Sequence, residues 1–205
     1  YHQYTLKHLQ CFDGCLGTPS MTPAYREIHH NFFVDNYSPQ ENVDNDDGSA
    51  YYKTHDNFFV YGGNGMKNDF GGHDNNHYNN IYAYVGRAVG FYDAPMLNGH
   101  EDHFYNNQVI LTGNDVGSIT CSGTGTTVMR NNKYYTKEGT VKECGMELKK
   151  WQQNNSNNDQ GSTSAKYPSD SAVMEWASAL LNIHWAGSGV AVWWFKKLPN
   201  GCTQG

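Results

Sequence analysis

The sequence predicts an all-β chain wound as a parallel β-helix, a solenoid finished by a short C-terminal helix and a closing strand. The first observation is a loose repeat in which Asn precedes bulky residues. It reads HHNFFV at 29–34, HDNFFV at 55–60, HYNNIYAYV at 77–85, FYNNQVIL at 104–111 and RNNKYY at 130–135. Anchored on Asn31, Asn57, Asn79, Asn106 and Asn131, the repeat advances by 26, 22, 27 and 25 residues. Periods of this size belong to solenoids, whose single coils cannot bury an apolar face alone. The second observation is what separates the apolar runs: DNDDGS at 44–49, GGNG at 62–65 and FGGHDNN at 70–76. Strand punctuated by turn residues leaves no room for a helix of about ten residues in each period. The third is the absence of a Leu framework or of paired amphipathic faces, which helical and leucine-rich repeats require.

The elements follow in order. Residues 1–28 are expected to cap the first coil or to continue a missing segment, and the start at Tyr1 reads as a mature or partial stretch of a longer precursor. Residues 29–135 carry the coils, with strands over Phe32–Val34, Phe58–Tyr61, Ile81–Val85 and Val109–Leu111. Strands of adjacent coils stack about 4.8 Å apart, so equivalent side chains form ladders. Asn suits such a ladder because its amide bonds both the next amide and the backbone. Residues 136–205 form a C-terminal capping region. Within it, Lys149 to Lys166 reads as a long exposed polar loop. Ser169–Ala172 then opens a helix in which Val173, Trp176, Leu180 and Leu181 share a face. GSGVAVWWF at 187–195 reads as the final strand. Helix and strand are expected to close the solenoid end, since an open edge invites aggregation.

HNFFVDN, THDNFFVYGGNG and HYNNIYAYVG resemble coils of right-handed parallel β-helix proteins, a group that includes secreted pectate-lyase-like and polygalacturonase-like enzymes. The resemblance spans about residues 25–135 and is one of repeat style. It implies a secreted protein active on polysaccharide. Asn45-Asp46-Asp47-Gly48 and Gly71-Gly72-His73 are faintly similar to the NTDG…DD…GHG series of the hydrolases. Their order and spacing depart from it, so its catalytic roles are not carried over.

Composition narrows the function. Mean hydropathy is −0.74 while only 17% of residues are charged, so the polarity comes from neutral side chains. Aromatic content is 14%, with 15 Tyr and 5 Trp, unlike a disordered chain. A neutral-polar, aromatic-rich surface is the kind that meets carbohydrate. The net charge of −6, with no basic stripe, argues against nucleic acid as partner. No apolar run is long enough to span a membrane.

The five cysteines lack paired CxxC motifs, which disfavours a structural zinc site. Cys11 with Cys15, and Cys121 with Cys144 about one coil further on, are spaced to pair as disulfides in an oxidising compartment, leaving Cys202 over. Asn36-Tyr37-Ser38 and Asn154-Asn155-Ser156 are glycosylation sequons at Asn36 and Asn154. Together they place the protein outside the cell or on its surface.

The 22-residue step puts Asp47 and Asp69 in one register on adjacent coils, about 5 Å apart. Two carboxyls that close do not both ionise readily. One becomes a general acid, the other a base or nucleophile, and a spacing of about 5–5.5 Å suits a retaining glycosidase. Lys67 and His73 support the pair, with Tyr51, Tyr52, His77, Tyr78 and Arg87 as substrate contacts. In a lyase version Lys67, Arg87 or Ca²⁺ neutralises a uronate; no other cofactor is expected. Of the ten histidines, His29, His30, His55, His73, His77, His100 and His103 spread over the coils and fit turn positions without a metal. The leading expectation is a secreted β-helix that acts on or binds polysaccharide. The other is a non-catalytic subunit of an extracellular filament or surface appendage, with homo-oligomeric contacts.

Overall fold

A computed structural model describes residues 24–34, 41–45, 48–69, 72–92, 99–117, 127–154 and 159–184. The chain climbs a three-walled coil. The first turn contains β1 (Arg26–His29), β2 (Phe32–Val34) and β3 (Glu41–Asn45), and the second β4 (Tyr52–His55), β5 (Phe58–Val60) and β6 (Asn64–Asp69). The third contains β7 (Asn76–Tyr78), β8 (Ile81–Val85) and β9 (Arg87–Tyr92). Beyond it come β10 (His103–Tyr105) and β11 (Gln108–Leu111), then β12 (Val128–Arg130) and β13 (Lys133–Thr136). Every wall is parallel. Wall one runs β1-β4-β7-β10-β12 and wall three β3-β6-β9. Wall two runs β2-β5-β8-β11-β13 and ends on β16 (Thr163–Lys166). The expected parallel β-helix is therefore present, with three turns that carry a strand in all three walls.

Between β13 and β16 lie a small antiparallel pair, β14 (Lys142–Glu143) and β15 (Met146–Glu147), and helix α1 (Leu148–Asn154). The stretch 149–166, read from sequence as a loop, thus holds most of a helix and a sixth strand of wall two. Strand β16 has no large apolar residue; only its backbone pairing with β13 makes it a strand.

The interior is filled by alternate residues of the three walls. Phe33, Phe59 and Tyr82 stack at 4.9 Å per step, and Tyr82 meets Phe104 at 5.6 Å. Met66 and Val89 face them from wall three. Packing is close enough that a Cβ on Gly65 would come within 2.6 Å of the Ala88 carbonyl.

Helix α2 (Asp170–Leu181) starts at Ser169, whose side chain accepts the Ala172 N–H at 3.2 Å. It ends at Asn182, whose left-handed backbone (φ 51°) returns its N–H to Ala179 O and Ser178 O. Its buried residues are Val173, Met174 and Ala177. They pack on Phe58, Val60, Ile81, Ala83 and Ile110, the outward residues of wall two. Tyr84 fixes the helix start by donating to Asp170 Oδ1 at 2.8 Å. The helix therefore lies along the flank of the solenoid, where an apolar outer wall needs cover, and not across its end. The strand expected at 187–195 falls outside the described residues, as do the first 23 of the 28 residues expected to cap the solenoid or continue a missing segment; Arg26 to Ile28 belong to β1 of the first coil.

Candidate functional site

The coil corners set where every site residue points. At the corner between walls one and two, His30, Asp56, Asn79, Asn106 and Asn131 all adopt left-handed backbone, with φ from 52° to 57°. Asn, Asp and His tolerate that conformation better than other residues with a Cβ. The next residue in each coil, Asn31, Asn57, Asn80, Asn107 and Asn132, forms the amide ladder. Each backbone N–H bonds the side-chain oxygen one coil on, at steps of 26, 23, 27, 25 and finally 30 residues to Ser162. Except for Asn31, these asparagines are fully buried.

This corrects the sequence register. Three of the five anchors, Asn79, Asn106 and Asn131, are the turn residues and not the ladder, so the 22-residue step is really 23. Strands β3 and β6 pair Asp44 with Lys67 and Asn45 with Asn68, and Ala50, not Tyr51, bridges His73. A 22-residue step joining Asp47 to Asp69 is not the register of this wall. Asp47 lies outside the described residues, and Asp69 is the last residue of β6. Lys67 is nearly buried and held 3.2 Å from Asp44 Oδ1.

The other expected contacts disperse. His77 faces the interior between Tyr82 Oη and Asn45 Oδ1, each at 3.0 Å. Those partners fix a neutral ring that accepts from Tyr82 at Nδ1 and donates from Nε2 to Asn45, and burial depresses its pKa to about 3. His77 was expected to touch substrate; it is a core residue. Arg87 sits on wall three in an exposed pair with Asp115 at 3.2 Å. Tyr51 is buried in a left-handed turn (φ 61°), edge-on to His73. Of the sequons, Asn36 lies outside the described residues, and Asn154 is the exposed last residue of α1. Cys11, Cys15 and Cys121 also lie outside them, so neither expected disulfide is described; Cys144 occupies a left-handed turn between β14 and β15.

Tyr78 lies on the outer face of wall one beside His55, whereas Tyr52 alternates to the other side with the buried Thr54 and lies under Arg26 at 5.5 Å. Among the described residues no element covers the outer face of wall one, which bears two files of side chains. One is Glu27, Lys53, Asn76 and His103, matched in register. The other is His29, His55, Tyr78 and Tyr105, whose rings stack at 5.1, 4.8 and 5.1 Å. Arg130 continues this file over the Tyr105 ring at 5.1 Å. Stacking covers the ring faces with one another, so the half-buried Tyr78 and Tyr105 offer ring edges and hydroxyls. His55 Nδ1 bonds Asp56 Oδ2 at 2.7 Å, while His55 Nε2 and His103 Nδ1 are buried and have no hydrogen-bond partner among the described residues. Sequence reasoning missed Tyr105 and His103 here, although its step of 27 residues already aligns them with Tyr78 and Asn76; the one-residue correction adds His55 and Lys53.

A second cluster forms where the chain enters wall one. Asp74 is left-handed (φ 56°) and its Oδ2 lies 2.8 Å from His73 Nδ1 and 2.7 Å from His100 Nδ1. Those two hydrogen bonds, with the attraction of both rings, outweigh burial and lower the Asp74 pKa. Next to it Asp102 is fully buried and accepts the Asn75 N–H at 2.6 Å. Burial raises its pKa to about 8, so near neutral pH it holds a proton.

No protein-family model, curated protein or solved structure matches this chain significantly. The likeness to pectate-lyase-like coils is thus one of solenoid architecture.

Proposed function

We propose that this chain is a secreted, pectate-lyase-like β-helix that binds polysaccharide along the outer face of wall one. The observation that supports this reading most is the file His29–His55–Tyr78–Tyr105–Arg130 beside Glu27–Lys53–Asn76–His103. Five strands at about 4.8 Å make a comb of donors and acceptors roughly 19 Å long, a run of several sugar rings. Because the rings stack on each other, the face recognises sugar hydroxyls by hydrogen bonds at ring edges and not by ring-face stacking. Affinity electrophoresis against a polysaccharide panel tests it, with Tyr78→Phe/Tyr105→Phe removing only the two hydroxyls. Retardation that disappears in this variant supports the reading; retardation unchanged by it contradicts edge recognition. Whether bound glycan is also cleaved is read from Asp69→Asn: as a catalytic acid, Asp69 is required for turnover and dispensable for binding.

A filament subunit remains the second reading, favoured by one observation. Phe32, Phe33 and Val34 of the first described coil are 41, 40 and 38% exposed, an apolar strand on which another solenoid can stack. Electron microscopy separates the two: regular filaments support assembly, dispersed particles support the glycan-binding solenoid.

A further inference from the structure

We infer that His73, Asp74 and His100 form a binding site for a divalent transition-metal ion of the zinc class, at the corner where wall three passes into wall one. The site is independent of the glycan-binding face. Its three donor atoms, two imidazole nitrogens and one carboxylate oxygen, all lie within 4.8 Å of one another. The two His–Asp contacts measure 2.8 and 2.7 Å. In a tetrahedral site with bonds of about 2.0–2.1 Å, ligand atoms lie about 3.3 Å apart. Each contact therefore opens by roughly half an ångström to admit an ion.

Backbone geometry makes that a small adjustment. His73 and Asp74 are adjacent in one coil, and His100 comes from the next. The Asp74 N–H bonds the His100 carbonyl at 3.1 Å, which fixes the separation of the two coils at this corner. The left-handed turn at Asp74 (φ 56°) accompanies the placement of its carboxylate between the two rings. Their planes cross at 76° with centroids 5.6 Å apart, so both Nδ1 atoms converge on one point.

Two nitrogens and one oxygen are the donor set that zinc, nickel and copper prefer; calcium and magnesium want oxygen. Burial graduates across the site. The His73 side chain is fully buried, while Asp74 and His100 are 21 and 31% exposed. The ion reaches the site from that open side, and positions not filled by protein face solvent. On binding, each Nδ1 gives up the proton it now donates to Asp74 Oδ2, to solvent or by tautomerisation to Nε2, and presents its lone pair to the ion. The ion would clamp adjacent coils through three side chains.

Zn²⁺ titration of the folded chain by calorimetry at pH 7.5 tests the inference. We expect one equivalent bound, and affinity at least tenfold weaker in His100→Ala and in Asp74→Asn. The second substitution keeps a residue that tolerates left-handed backbone, so it reports on the carboxylate if His100→Ala perturbs folding. His184→Ala, at an exposed histidine outside both sites, should bind as the parent does. No saturable Zn²⁺ binding, or affinity unchanged in both His100→Ala and Asp74→Asn, overturns the inference.

Discussion

Asn57 and Asn80 are joined by two hydrogen bonds on a single oxygen: the backbone N–H and the Nδ2–H of Asn57 both end on Asn80 Oδ1, at 3.0 and 3.1 Å. Asn80 Nδ2 in turn donates to Thr54 O at 2.8 Å and to Asn107 Oδ1 at 3.2 Å. One buried amide thus satisfies polar groups in three consecutive coils. Leaving a buried donor or acceptor unpaired costs about 1–3 kcal/mol, so the ladder holds the register more firmly than the apolar contacts alone.

Asn80→Ala should therefore lower the unfolding free energy by about 2–4 kcal/mol, measured by chemical denaturation. The neighbouring Asn79→Gly is the control. Asn79 is exposed and left-handed (φ 55°), a conformation Gly adopts freely. It should change stability by less than about 1 kcal/mol. Equal losses at both positions would show that the ladder is misplaced.

Asp102 makes stability fall as pH rises. Its pKa is about 8 folded, against an ordinary 3.8. Between those values the folded chain holds a proton that the unfolded chain releases, at a cost approaching about 1.4 kcal/mol per pH unit. Asp102→Asn keeps an acceptor for Asn75 and does not titrate. Its stability relative to the parent should climb from pH 4 to 8 and level off above, as read from unfolding curves across that range. A pH-independent difference would place Asp102 in a solvated setting.

His77 acts in the opposite direction. Its pKa is depressed to about 3 from 6.5, so its contribution is complete above pH 6.5 and drains away as pH falls toward 3. His77→Phe should be less stable at pH 7, because Tyr82 Oη and Asn45 Oδ1 lose their partner. It should also lose less than the parent on acidification from pH 6.5 to 4.5, by about 2–3 kcal/mol. Parallel pH profiles in the two proteins would count against a neutral buried ring.

Much of the architecture was legible because periodicity survives substitution: apolar runs and turn clusters recur whatever fills them. The register was not, because doublets at 79–80, 106–107 and 131–132 offer two asparagines for one ladder. The pairs His30-Asn31 and Asp56-Asn57 resolve the choice, since only their second member is Asn and their first takes the left-handed turn. That slip of one residue set the proposed Asp47–Asp69 pairing a step out of line with the wall and hid the alignment of His55 with Tyr78. Helix α2 was readable from Ser169 and the spacing of its apolar residues, but its place was not. Only the outward apolar set Phe58, Val60, Ile81 and Ile110 shows which wall it covers. Strand β16 has no sequence signal, because backbone pairing alone makes it.

The most direct test of the central proposal is the affinity of the parent chain and of Tyr78→Phe/Tyr105→Phe for the polysaccharide that retards the parent most. Edge recognition predicts a loss of about 5- to 150-fold, since two hydrogen bonds at roughly 0.5–1.5 kcal/mol each are removed. Equal affinity of the two proteins, or no retardation of the parent by any polysaccharide, would contradict it.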